Sequence, residues 1–346
     1  MVRLRAQQLI NPDFTDVKDV VAWMGAIQAQ QPRMAKLALG IRTRGATMQQ
    51  IKQALDRGEI LRTHVLRPTW HYVSPSDIRW MLKLSCNRLK SAYASSMKGH
   101  GLTITEQMYD TANLHIYDML SGGKSLTKQQ ITERIAEKGL PSDTVFMNLF
   151  LENAECEALI CSGPEVENAH TYMLLDERVA PISLPTRDEA LSILARNYFR
   201  SHAPATLDDF CWWSGLSVKE ARLGVEIIEK ELQKVVSNDK TYLLHESCSI
   251  DIKEKESFIF LPAYDEYIIA YKYRGDVLQV SHNSKAFTNG VFFPLILQNG
   301  RATGNWKITL TRRNIAINTS YFDNDAPTDL SAAEEKARLQ LISFHN

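Results

Sequence analysis

The feature that most constrains this chain is an order of predicted elements that recurs along it. Residues 106–180 read as an amphipathic helix from Glu106 to Leu120, a turn at Ser121-Gly122-Gly123, and a second helix, SLTKQQITERIAEKG, with Thr127 as its N-cap. Leu140-Pro141-Ser142-Asp143 then leads into a third helix, TVFMNLFLENAECEALI. CSGPEVENAHTYMLL follows as two short strands around a polar loop containing Gly and Pro. Three helices and a hairpin within roughly 75 residues is the order of a winged helix, a helix-turn-helix variant with a β-wing. The pattern returns from Arg187 to His245 as EALSILARNYFRSH, TLDDFCWWSG and SVKEARLGVEIIEKELQKV, closed by a strand-like TYLLHE. The N-terminal third offers another instance: TDVKDVVAWMGAIQA, TMQQIKQALDRGE, and the strand-like ILRTHVL and TWHYVS flanking Arg67-Pro68.

From Ile250 onward the pattern changes to short β-type runs, SFIFLPAYDEYIIAY, GVFFPLILQNGRATGNWKITLT and NIAINTSYF, before a terminal helix near Ala326 to Ser343. Asn299-Gly300 between apolar runs signals a hairpin turn. The expected fold is mainly α with β (α+β): three tandem winged-helix units at 1–105, 106–180 and 181–248, and an antiparallel β-rich C-terminal element at 249–346. Winged helices serve protein contacts as well as DNA, so the repeat leaves function open.

Composition narrows the classes. At 346 residues, 44% hydrophobic and 23% charged, the chain is neither disordered, collagen-like nor a multi-span membrane protein. It has no run of eighteen apolar residues, and MVRLRAQQLINPDF lacks a signal-peptide core, so a cytoplasmic location is expected. Five cysteines without a C-x-x-C pair point to reduced thiols rather than a disulfide framework or a Cys-rich metal site. The Walker, G-x-G-x-x-G, H-E-x-x-H, G-x-S-x-G and kinase motifs are all missing. His64 and His71, seven apart on strand-like segments, offer no metal-ligand geometry.

The net charge of zero conceals a gradient. Met1 to Thr105 carries 16 Lys and Arg against 6 Asp and Glu, and the remainder carries 24 against 34. Polyanion binding, if present, belongs to the first third, unless the charges merely solvate surfaces. That third also holds the most informative stretch, Met24-Gly25-Ala26-Ile27-Gln28-Ala29-Gln30-Gln31-Pro32-Arg33-Met34-Ala35. On a regular helix Gln28 and Gln30 would point about 200° apart. Pro32 disfavours helical geometry at Gln31, so the helix is expected to end or kink around Gln30, and an irregular or extended segment could turn both carboxamides toward one cavity. The alternative is a solvent-exposed polar helix end.

GAIQAQQPRMA, followed by Leu66-Arg67-Pro68-Thr69-Trp70-His71-Tyr72-Val73, resembles the winged-helix DNA glycosylase family typified by AlkZ and YcaQ. LPAYDEYIIAY and GVFFPLILQNGRATGNW are similar to the same family, so the resemblance reaches from Gly25 to Trp306. It implies three tandem winged helices and a β-rich element around a DNA-binding channel. The family signature is glutamine, an apolar residue, then glutamine in the AlkZ-like branch or aspartate in the YcaQ-like branch. Gln28-Ala29-Gln30 is similar to the first, with a small alanine in the middle. Carried over, Gln28 and Gln30 are the catalytic pair that positions water.

Neutral amides suit a particular chemistry. Glutamine is no general base near pH 7, but its carbonyl orients water and its NH₂ fixes neighbouring groups. That suffices for an activated leaving group such as a purine alkylated at N7 or N3, whose positive charge eases departure. Water directed at C1′, with stabilisation of oxocarbenium-like charge, completes hydrolysis. The expected activity is thus a monofunctional DNA glycosylase releasing alkylated purines, interstrand crosslinks included, from double-stranded DNA. The protein is expected to be a monomer at the nucleoid, with no metal or organic cofactor. The competing readings are a noncatalytic winged-helix regulator or damage sensor, and a scaffold for protein contacts.

Candidates for phosphate contacts are Arg33, Lys36, Arg42, Arg44, Lys52, Arg57, Arg62 and Arg67, with Arg42-Thr43-Arg44 and Arg67 favoured because they lie near predicted element ends. Trp70 and His71 either line the site or pack the wing. Trp212 and Trp213 are expected to pack the third unit. Asp265 and Glu266 are either acid/base groups or the cap of a strand-to-helix junction.

Overall fold

The computed structural model describes residues 1–346 apart from 100, 102, 254–255, 312–314, 324–330 and 346. It divides into two compact units, one made of Met1–Ile51 with Ser192–Asn346, the other of Lys52–Leu191. The division falls within the helix Met48–Arg57, inside the span 1–105.

In the second unit the helices Glu106–Leu120, Lys128–Glu137 and Thr144–Cys156 start where local chemistry dictates. Thr105 accepts from the Met108 N–H, Thr127 and Gln130 form a reciprocal capping box, and Asp143 accepts from the N–H groups of Val145 and Phe146. The strands Leu126–Thr127, Ile160–Ser162 and Thr171–Leu174 form an antiparallel sheet with the last in the middle, Leu126 opposite Tyr172 and Ile160 opposite Leu174. Ile116, Leu120, Ile131, Ile135, Met147 and Phe150 from the helices pack against Ile160 and Leu174 from the sheet. Each such side chain contributes about 1.5–3 kcal/mol by leaving water. The three helices and the hairpin match the element order read from this stretch, with one further short strand, Leu126–Thr127, ahead of the second helix.

The same order runs from Arg187–Ser201 through a β-bridge at Ala205, then Leu207–Ser214, Val218–Ile227 and the strands Leu232–Ser237 and Lys240–His245. Here the sequence reading needs correction. The third helix does not continue through LQKV but ends at Ile227, and after a 3₁₀ turn at Glu229–Glu231 the segment LQKVVS is a strand. The cause is the turn: Asn238 and Asp239 adopt φ of 48° and 58°, the two left-handed positions of a type I′ hairpin, which requires a strand on either side.

The C-terminal element is a four-stranded antiparallel sheet in the order Ile315–Tyr321, Arg301–Leu310, Leu295–Gln298, Phe258–Leu261. Asn299 and Gly300, at φ 50° and 80°, make the expected tight turn, with Gln298 opposite Arg301. The run YDEYII is not a strand: Glu266–Ile269 is one turn of helix with Asp265 as its N-cap. The terminal helix is Ala332–His345, and positions 326–330 of its expected span lie outside the described residues. Leu4 and Leu9 from the N-terminus join Leu261, Tyr267, Ile268, Leu295 and Leu297 in the core of this unit. All five cysteines are free thiols. Among the described residues no helix is long and apolar enough to cross a membrane.

Candidate active site

The glutamine segment lies in the first unit, and its geometry follows from three local signals. Asp16 caps the helix Val17–Met24, accepting from the Lys18 N–H at 3.2 Å. Gly25 ends that helix at φ +76°, a conformation costly for any side chain, and a Cβ there would lie 3.2 Å from that of Asn197. Pro32 opens the next helix, Pro32–Gly40, at a position where its missing N–H costs nothing. The first helix therefore stops well short of Gln30. Ile27–Gln28 is a short strand and Gln31 is extended at φ −107°, ψ 106°. Gln28 ends that strand and Gln30 lies in a bend, so neither is on a helix and the helical objection to their sharing a target does not apply. Ala26 and Ala29 are fully buried, Gln28 is 7% exposed, and Gln30 is exposed.

The Gln28 N–H donates to Glu266 Oε1 at 2.6 Å. The other oxygen of Glu266 accepts from Trp213 Nε1 at 3.1 Å and lies 3.5 Å from His202 Nε2. Burial lowers the pKa of His202, which keeps this imidazole neutral although the carboxylate opposes the shift. The ring stacks on Tyr198 at 4.8 Å, and its Nδ1 is 2.8 Å from Ser201 Oγ. Asp265, one residue earlier, caps the Tyr267 N–H and receives both terminal nitrogens of Arg42 at 2.7 Å. Arg42 also donates to Ala38 O at 3.0 Å and Gln7 Oε1 at 2.9 Å. Gln7 in turn donates to the Tyr271 hydroxyl, which donates to His202 O.

Arg42, a favoured phosphate contact, is thus corrected: it is fully buried, and an interior aspartate binds it bidentately. Lys36 is also buried, at 8% exposure. Arg33 and Arg44 are exposed, Arg44 donating to Pro12 O at 2.9 Å. Trp213 is buried as expected. Trp212 is not: it is 44% exposed, with its indole N–H on Ile269 O at 2.9 Å.

The remaining candidates lie in the second unit. Arg62 is buried and sits over the Trp70 ring at 4.1 Å. Trp70 is half-buried, packed between His64 at 4.0 Å and His170 at 4.9 Å, and His71 is fully buried with Nδ1 2.9 Å from Thr69 O. These contacts fit the wing-packing alternative for both. Arg67 and Lys52 are half-buried, while Arg57 is exposed and pairs with Glu59 at 2.8 Å. Beneath Trp70, His64 Nδ1 meets Glu155 Oε2 at 2.5 Å, and burial pushes the nearby Glu152 carboxyl up to about 7. Among the described residues no group of three His, Cys, Asp or Glu could hold a metal ion.

Sequence reasoning noticed Glu266 but missed its contact with Gln28, for which the only local signal is an Asp-Glu pair opening a short helix. The chain matches the family model described as DNA glycosylase AlkZ-like over residues 21–339. It is similar to an interstrand DNA cross-link repair glycosylase of Streptomyces sahachiroi, at 22% identity over 320 residues, covering 88% of this chain and 86% of that one. The solved structure of Streptomyces sahachiroi DNA glycosylase AlkZ superposes with a TM-score of 0.80 at 20% identity, over 99% of this chain and 94% of that one, a likeness of fold.

Proposed function

The chain belongs to the AlkZ-like family of DNA glycosylases, and from that premise we propose that it hydrolyses the N-glycosidic bond of alkylated, cationic purines in double-stranded DNA. Gln28 and Gln30 hold the attacking water. Purines joined in an interstrand crosslink are within its range, in keeping with the name of its Streptomyces relative. It acts as a monomer on nucleoid DNA in the cytoplasm, through three winged-helix units.

The observation that carries this reading is the break of helix at Gly25 and its restart at Pro32, which leaves both glutamines outside helical geometry, Gln28 in a short strand and Gln30 in a bend. The bond from C1′ to the purine breaks with its electron pair passing to the base, cancelling the positive charge left by alkylation. Water adds to C1′ and sheds its proton to solvent, leaving an abasic site and the free base. The amide carbonyls orient that water; no strong acid is needed because the leaving group is already charged. Arg33 and Arg44, both exposed, are the candidates for phosphate in the first unit, and Arg67 in the second.

Single-turnover release of N7-methylguanine from duplex DNA tests the proposal. Gln28→Ala and Gln30→Ala should each slow release by about 100-fold, the scale of losing one positioned polar group, while DNA affinity changes by no more than about threefold. Intact protein that binds the duplex without producing abasic sites would establish the noncatalytic reading instead.

A further inference from the structure

Glu266 is a fully buried carboxylate whose two oxygens each receive an N–H, one from the Gln28 backbone and one from the Trp213 indole. We infer that Glu266 is the positioning residue of the Gln28-Ala29-Gln30 segment, holding the Gln28 peptide and through it the carboxamide that orients water. The inference rests on Gln28 and Gln30 being the water-holding pair.

Three features make the contact more than ordinary packing. A buried peptide N–H needs an acceptor, and an ionised one at 2.6 Å binds roughly twice as strongly as a neutral carbonyl. The middle residue of the segment is alanine, whose buried methyl has no branch with which to wedge the backbone, so a polar contact adds to its orientation. Glu266 also has a fixed base: its neighbour Asp265 caps the one-turn helix and grips Arg42, which follows the helix Pro32–Gly40. Two consecutive acidic residues thus tie down both the start of the glutamine segment and the far end of the helix that follows it.

The distances define what each substitution removes. Glutamine at 266 offers one acceptor oxygen to two donors, so either Gln28 or Trp213 must face an NH₂ group. Alanine removes both acceptors. A displacement near 1 Å of a group that positions a reactant costs about 100-fold in rate.

The test is single-turnover release of N7-methylguanine from duplex by the full-length protein. Glu266→Gln is expected to slow release about tenfold and Glu266→Ala about 100-fold, each with the DNA dissociation constant within about twofold of wild type. Combined with Gln28→Ala, Glu266→Gln should add no further loss, because the two act as one unit. The Gln28 amide proton resonance should move upfield in Glu266→Gln as the charged acceptor is lost, a readout that needs no catalysis and that the near-isosteric variant supplies even if Glu266→Ala does not fold. A Glu266→Gln protein at the wild-type rate beside a slow Gln28→Ala protein overturns this inference alone, as do losses that multiply in the double variant. A Gln28→Ala protein with undiminished release overturns the water-holding reading and this inference with it.

Discussion

Each unit of the molecule withdraws a pair of neighbouring carboxyl groups from water, fully for Asp265, Glu266 and Glu155 and halfway for Glu152, and the two pairs behave differently. Asp265 and Glu266 are met on every side by donors fixed in place: two guanidinium nitrogens, two backbone N–H groups and an indole. Glu152 and Glu155, three residues apart on one face of Thr144–Cys156, are not. Glu155 meets His64 through one oxygen, while its Oε1 has no hydrogen-bond partner among the described residues, and Glu152 holds its proton up to about pH 7 because burial disfavours its charge. Donor supply, more than depth, decides whether an interior acid becomes architecture or a proton store.

Matched neutralisations sharpen this contrast. Asp265→Asn keeps the helix cap but strands the Arg42 guanidinium, which cannot shed its charge, and should cost about 3–5 kcal/mol in denaturant unfolding. Glu155→Gln leaves a histidine that can be neutral, so the same measurement should find only about 1–2 kcal/mol. Equal losses would break the comparison. The smallest effect has the opposite sign. Folded Glu152 keeps its proton to about 7, whereas the unfolded side chain releases it near 4.5. Its contribution to stability is therefore full below pH 4.5 and lost as pH rises through 7. Glu152→Gln should match wild type near pH 4 and exceed it at pH 8 by about 1 kcal/mol, allowing for solvent screening of a half-buried group. A gain that is the same at both pH values would remove the proton from the account.

What the sequence revealed was local. Thr127 announces the start of its helix, and Asn299-Gly300 announces its own turn. The strand Leu232–Ser237 escaped because Glu229-Lys230-Glu231-Leu232-Gln233-Lys234 are all good helix formers, and the deciding signal lay just beyond them at Asn238-Asp239. At the site, Pro32 announced that helical geometry fails near the glutamines, but Gly25 sets where. The contacts of Gln28 with Glu266 and of Arg42 with Asp265 span 238 and 223 residues, so no periodicity could reveal that a cation near an element end points inward. Family resemblance supplied the proposed roles of Gln28 and Gln30, since the residues alone favoured a plain helix end.

Sealing Ala26, Ile27 and Ala29 leaves the glutamine segment without slack: sliding it by even a fraction of an ångström would open voids in a close-packed interior. As the proposed hydrolytic floor, the segment would work as a die, shaped before anything is pressed against it. On that proposed reading, any adjustment to bulky or small adducts is left to the nucleic acid and to the exposed Gln30.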